Sequence, residues 1–212
     1  MLTSKILEDV RMALDENRVS TTLVDSDTLS MNDIIVSKMV QAVKNVEMSV
    51  PVHMLEGVYF SASINWKMVE GIGAGSLFLP SDFMRLVSFK MSDWSYAVSS
   101  VILGDTEDYR KQISRYPGVR GCPQRPVCAL VNSSTGLTLE FFSCTAGTGT
   151  GIEKALYVAE PVISGGDIVV SPKCYNAIIY TCAGLSCSAY GAKEQSEMMF
   201  KIAKDFIDGV SE

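Results

Sequence analysis

The hydrophobic period of this chain changes twice, and that change limits the folds open to it. Between Leu2 and Leu14 the apolar residues Leu2, Ile6, Val10 and Ala13/Leu14 recur at the spacing of one helical face. Polar residues 15–28 predict a loop. Ser30-Met31-Asn32-Asp33 then reads as a capping box, because the Ser30 hydroxyl can accept from a free backbone N–H while Asp33 reaches back to the cap. Ile35, Met39, Val43 and Val46 continue a single apolar face, and Pro51, which cannot donate to the helical ladder, ends it.

From Val58 to Val170 the period shortens towards two. The runs VYFSASI, SLFL, MRLVSFKM, SYAVSSVIL, PVCALV, LTLEFFSC, ALYVAE and DIVV are separated by Gly, Pro and Asn, which predicts short antiparallel strands. Helix returns after Ser171-Pro172, an N-cap and first-turn pair. Cys174, Ile178, Thr181 and Leu185 form one stripe. Beyond Gly191, a last helix is expected to turn Met198/Met199, Ile202 and Phe206 inward, with Gly209 near its end. The fold class is α+β: N-terminal helices over 1–56, a central antiparallel β-rich part over 57–170 and C-terminal helices over 171–212, the terminal helices forming one bundle.

Charge excludes one common class of function. The net charge is −6, of which residues 1–60 carry −4 from five basic and nine acidic side chains. Affinity for a phosphate backbone rests on Lys and Arg, so tight nucleic-acid binding is not expected. No apolar run is long enough to span a bilayer, and the acids in MLTSKILEDV leave no room for a secretory h-region. Six cysteines in a chain of this kind are expected to remain free thiols.

Chemistry is sparse. His53 is the only histidine, which excludes a histidine metal cluster, and its place just after Pro51 is that of a connector. Cys122 and Cys128 are separated by five residues, wider than the usual zinc-knuckle pair, and Cys182 and Cys187 by four, at the upper limit of that spacing. On a helix Cys182 and Cys187 would point about 140° apart, which makes them small core fillers. AGTGTGIEKAL, residues 146–156, follows a strand and is rich in Gly, yet it matches neither phosphate-binding spacing. It is read as a hairpin connection. Asp105, Glu107 and Asp108 are read as a solvated polar turn. No catalytic, cofactor-binding or metal-binding residues are assigned.

One cluster stands apart. RKQISRYPGVRGCPQRP, Arg110 to Pro126, holds five cations and no acid. A charge run is usually a solvated face. Arg and Tyr stiffened by Pro and Gly are also what protein interfaces use as anchors. Arg115, Tyr116, Arg120 and Arg125 are therefore the candidate interface residues, and the acidic N-terminal third offers a complementary surface on a neighbouring copy.

The succession of elements resembles the head–tail connector (adaptor) proteins of short-tailed bacteriophages, the group that includes the tail tubular A protein. The resemblance rests on KILEDVRMAL followed by DSDTLSMNDIIVSKMVQAVKNVEMSVP, then on the step Leu79-Pro80-Ser81-Asp82-Phe83 leading to an aromatic, Trp94. It continues with Gly121-Cys122-Pro123-Gln124-Arg125-Pro126-Val127 ahead of a Pro-Val strand, and closes with CYNAIIYTCAGL and EQSEMMFKIAKDFI. The cysteine-rich C-terminal helix and the Gly-Thr-Gly loop depart from that pattern.

The resemblance implies a virion structural protein rather than an enzyme, with no cofactor and no membrane partner. It implies a ring of about twelve copies at the head–tail junction, a heterologous cyclic assembly. The ring would dock on the portal, present the next tail or neck component, and let genomic DNA pass without sequence-specific binding. Assembly would take place in the host cytoplasm. It also implies that Leu79-Pro80 turns the chain so that two strands stack, with Trp94 anchoring the core. The alternatives are another neck or tail protein, a gatekeeper or terminator, and a small cytosolic enzyme using cysteine or nucleotide.

Overall fold

In the computed structural model, residues 1–16, 30–69, 72–114, 116, 118–134, 136–144 and 150–209 are described. They form a mixed α+β fold with five helices and two sheets. The chain divides into two units, one made of Met1–Glu56 with Glu160–Glu212, the other of Gly57–Ala159. Residues 160–170, expected with the β-rich part, thus belong with the helices.

In the helical unit, α1 (Thr3–Glu16) buries Ile6, Val10, Ala13 and Leu14 of the expected stripe, while Leu2 precedes the helix and is exposed. From residue 17 on, the polar loop expected over 15–28 lies outside the described residues. Ser30 starts α2 (Met31–Ser49) with both halves of the capping box in place: its hydroxyl accepts from Asp33 N at 3.3 Å, and its own N–H donates to Asp33 Oδ2 at 3.2 Å. Pro51 follows the cap residue Val50, and a short 3₁₀ turn, Val52–Met54, carries His53.

A second 3₁₀ turn, Pro172–Cys174, precedes α4 (Tyr175–Ala189), so Ser171-Pro172 opens that turn rather than the helix itself. The Ser171 hydroxyl does not cap; it accepts from Glu56 N at 3.2 Å. α4 is buried nearly all round, with Ala177, Ile178, Ile179, Cys182, Ala183 and Cys187 among its enclosed residues, and α1, α2 and α5 (Lys193–Asp208) all pack on it. Small residues permit that approach. Gly184 lies so close to Phe200 that a Cβ would sit 2.9 Å from the ring, and Ser196 donates to the Gly184 carbonyl at 2.9 Å. Gly191, at φ +78°, makes the reversal between α4 and α5 in a conformation that a side chain resists.

The expected inward face of α5 is corrected. Met199 is fully buried, but Met198 and Phe206 are exposed and Ile202 only half-buried, because the buried stripe runs through Ser196, Met199 and Ala203. Phe206 instead lies flat on Tyr180, with ring centroids 5.6 Å apart.

The β unit contains β1 (Val58–Tyr59), β2 (Asn65–Val69), β3 (Ile72–Phe78), β4 (Phe83–Met91), β5 (Ile102–Leu103), β6 (Cys128–Ser133), β7 (Gly136–Cys144) and β8 (Ile152–Ala159). A three-stranded sheet has the order β1-β8-β4, and a five-stranded sheet the order β2-β3-β7-β6-β5. Pairing is antiparallel except between β5 and β6, which run parallel. Two expected strands shrink to pairs of residues: of VYFSASI only Val58–Tyr59 is strand, and of SYAVSSVIL only Ile102–Leu103, with Val98 bridged to Phe89. DIVV forms no strand. β2 was not anticipated.

Leu77, Leu139 and Phe141 of the larger sheet meet Leu86, Phe89 and Met91 of the smaller in one core. The Leu79-Pro80 step carries the chain from one sheet to the other, between β3 and β4, and Phe83 N closes the turn on the Pro80 carbonyl at 3.1 Å. Trp94 is buried at the centre of that core, 5.6 Å from Phe89 and 6.3 Å from Phe141 by ring centroids. On the other face of the larger sheet, Ala74, Ala129 and Phe142 are covered by Tyr109 of α3 (Glu107–Gln112).

Candidate functional site

The all-basic stretch begins on α3. Thr106 caps that helix, its hydroxyl accepting from Tyr109 N at 3.3 Å, and Glu107 and Asp108 lie in the first turn, where acids suit the helix dipole. The expectation of a solvated polar turn for Asp105, Glu107 and Asp108 is corrected to that extent. Asp108 holds Lys111 at 2.8 Å, on the surface.

Beyond α3 the loop is stitched down by buried polar groups. Gln112 accepts from Gly121 N at 2.7 Å and donates to the Asp108 carbonyl at 3.2 Å. The Ser143 hydroxyl of β7 accepts from Val127 N at 2.9 Å, and it stands where a Cβ on residue 121 would go, 2.4 Å away, so only Gly fits there. Cys122 and Arg125 exchange both backbone hydrogen bonds, at 3.1 and 2.8 Å, and Ser95 N donates to the Pro123 carbonyl at 2.9 Å. Every one of these bonds fixes backbone, so the loop is held by the sheet beneath it.

The four candidate interface residues part company here. Tyr116 is 74% exposed, and Ile113 and Val119 beside it are also exposed. Arg125 is on the surface and donates to the Gly118 carbonyl at 3.4 Å. Arg120 is only 3% exposed, and its buried Nε has no hydrogen-bond partner among the described residues. It offers no contact area to a neighbour, which corrects its reading as an interface residue. Arg115 lies outside the described residues.

Below the loop, Glu140 of β7 accepts from Tyr109 OH at 2.7 Å and pairs with Lys67 of β2 at 3.3 Å. Burial, then the Glu140 hydrogen bond and charge, push the Tyr109 phenol up to about 12. This cluster ties α3 to the sheet.

The thiols are separate, free and mostly enclosed. Burial pushes Cys182 up to about 12 and Cys174 to about 11, the latter also facing the Glu47 charge. Cys144 is pushed up to about 12 by burial and by Asp93, and burial raises Cys128 and Cys187 as well. A thiol held protonated is a poor nucleophile and a poor metal ligand. Only Cys122 is partly exposed. Among the described residues no three His, Cys, Asp or Glu side chains are placed to hold a metal ion, and no helix is long and apolar enough to cross a membrane.

His53 lies in its 3₁₀ turn, where its carbonyl accepts from Lys173 at 3.3 Å. Of the Gly-rich run, residues 145–149 are outside the described residues; Gly151 is tied to Ser92 by bonds of 2.9 and 3.2 Å, and Ile152 opens strand β8. IEKAL is therefore strand, without the helix start a phosphate cradle needs. The hairpin reading is corrected too, because β7 and β8 belong to different sheets.

Sequence reasoning missed Glu47, Gln112 and Ser143, three buried polar residues that hold loops in place. Glu47 of α2 accepts from Ser171 N at 2.8 Å. No periodicity marks such residues. No protein-family model matches the chain, and comparison with the curated proteins found no match.

Proposed function

We propose that this protein is a ring-forming structural subunit of the neck of a short-tailed bacteriophage, joining the portal to the tail and lining the DNA conduit. The observation that carries the reading is how the chain is divided. Its two ends, 1–56 and 160–212, form one unit in which α1, α2 and α5 pack on α4, while 57–159 forms another. Read as a helical bundle with a central β-rich insertion, this is the organisation the head–tail connectors share, with the Leu79-Pro80 step and Trp94 at corresponding points in the insertion.

Two further observations support it over the alternatives. The five helices take up about a third of the chain, more than a β-dominated gatekeeper or terminator contains. Burial keeps five of the six thiols protonated, which works against a cysteine-dependent enzyme. A net charge of −6 suits a conduit wall, since a like-charged lumen lets phosphate slide past without adhering. In this reading the partners are further copies of the chain, the portal protein, the next tail component and passing genomic DNA.

The test is stoichiometry in purified particles, by quantitative mass spectrometry against the major capsid protein. About twelve copies per particle is the expected result, the ring size that the resemblance implies for a closed cyclic assembly. Absence from particles overturns the reading.

A further inference from the structure

The larger sheet ends on an edge that the chain leaves half covered. β6 runs for six residues, Cys128–Ser133, but β5 pairs only with Ala129 and Leu130. Gly104 N makes one further bond, to the Leu130 carbonyl at 2.9 Å. The Thr106 hydroxyl and N–H then both donate to the Leu103 carbonyl, at 2.7 and 3.2 Å, and the chain turns away into α3. Backbone groups alternate between the two sides of an antiparallel strand. Leu130 directs its carbonyl towards β5, so Asn132, two residues on, directs its N–H and C=O to the same side. Leu137, opposite Asn132 on β7, agrees: its carbonyl accepts from Leu79 N at 3.0 Å, away from β6. Asn132 is exposed, so its two backbone groups stand open at the edge. β6 has no Lys, no Pro and no bulge, the devices that usually guard such an edge.

The space beside that edge is a groove of about 480 Å³, within the usual range of binding pockets. Leu103, Leu130, Val131 and Leu137 supply its apolar lining, and Asp105 and Asn132 its polar side chains. Leu103 is 56% exposed although nothing but water faces it there among the described residues. Asp105 and Glu107 are exposed, and neither forms an ion pair among the described residues. No Lys or Arg lines the groove.

We infer that this edge takes an extended segment of a partner protein, added as a strand beside Val131–Ser133, with apolar side chains in the groove and a Lys or Arg against Asp105. Each property of the occupant answers a feature of the site. The open N–H and C=O of Asn132 call for a backbone, which continues the ladder where β5 leaves it. The leucines and Val131 call for apolar side chains at alternate positions. The unpaired acids at Asp105 and Glu107 call for a cation. The inference stands apart from the neck reading: a protein absent from particles that binds such a segment loses that reading and keeps this site.

The test uses the full chain and a fluorescein-labelled synthetic peptide, TVKVKVT, in fluorescence anisotropy at about 0.1 M salt. Saturable binding is expected. Two control peptides separate its parts: TVEVEVT, with the charge reversed, and TVKVKVT with N-methyl groups on every Val and Lys, which cannot donate backbone hydrogen bonds. Each should bind about tenfold more weakly or worse. Asp105→Lys changes an exposed residue and should keep the wild-type circular dichroism and Tm. It should weaken TVKVKVT about tenfold and bind TVEVEVT more tightly than the wild type does. Amide hydrogen exchange then places the peptide, because the Asn132 N–H should exchange about tenfold more slowly at saturation. Attraction of a basic peptide to an acidic protein at large would leave Asn132 unprotected and the N-methylated peptide bound equally well, and either result overturns the site. So does the absence of saturable binding, or an Asp105→Lys variant that folds and binds TVKVKVT like the wild type.

Discussion

Replacing Phe141 tests whether the two sheets share one core. The ring is fully buried at the centre of that core, 5.5 Å from Trp66, 6.0 Å from Phe89 and 6.3 Å from Trp94 by centroids. Phe141→Ala removes the ring and leaves a cavity between sheets that cannot collapse far, a change that costs about 3–5 kcal/mol. Three lost aromatic contacts put it at the upper end, because such pairs contribute about 0.5–1.5 kcal/mol beyond burial. With an m-value of about 1.5–2 kcal/mol/M in urea, the unfolding midpoint should fall by about 2–3 M. The assay is built in: the chain has two tryptophans, both border Phe141, and their emission follows this unit directly. Phe141→Leu, which keeps most of the volume, should cost under about 1.5 kcal/mol. Phe78→Ala, at the exposed end of β3, should shift the midpoint by no more than about 0.3 M. A Phe141→Ala midpoint within about 0.5 M of wild type, or a Phe78→Ala loss of equal size, would refute a common core.

Ellman-type titration at neutral pH should find one thiol per chain reacting at once, Cys122, and the other five reacting only on unfolding; two or more fast thiols in a folded sample contradict the burial described. Stability should fall as the solution becomes alkaline. The buried thiols have folded pKa values raised above their unfolded ones, so the unfolded chain loses those protons first; the contribution is complete below about pH 8.5 and drains away towards the folded values, by about 1.4 kcal/mol per pH unit for each such thiol. Cys182→Ala should flatten that slope by one thiol's share in pH-dependent urea denaturation, and an unchanged slope would refute it. Glu47→Ala strips the acceptor from the buried Ser171 N–H and should lower stability by about 1–3 kcal/mol, measured by circular dichroism at 222 nm, while Glu47→Gln, which keeps a carbonyl in place, should cost less.

What the sequence discloses here follows from what each element depends on. α1 and α2 are set by local terms, an apolar stripe and the Ser30–Asp33 box, so both are legible. The inward face of α5 is not, because its sequence offers Met198, Ile202 and Phe206 as readily as Met199 and Ala203. The choice is made by α4, whose Gly184 admits Phe200 and whose Gly184 carbonyl takes Ser196. β2 escapes notice because its polar–apolar alternation, Asn65 to Met68, is only four residues long, and it forms by pairing with β3. α3 carried its own signal, a Thr cap followed by two acids, which a reading of acids as solvated turn passed over. Arg120 marks the limit. Five cations in seventeen residues suggest a surface, yet nothing local distinguishes the one that the fold encloses.

That enclosure bears on what the loop can do. A loop that docks on a partner loses conformational entropy, and this cost can cancel much of the contact energy. In Gly121–Val127 the ordering has been done within the chain: Gln112 holds Gly121, Ser143 holds Val127, and Cys122 and Arg125 hold one another. Such a segment presents Arg125 from a backbone already fixed, so each contact it gains adds more net affinity than the same residue would give on an untethered segment. The sites to perturb are therefore of two kinds. Surface changes at Tyr116 and Arg125 should weaken association and leave the fold intact. Ser143→Ala, which removes the acceptor beneath the loop, should raise the entropic cost of docking while every contact residue stays in place.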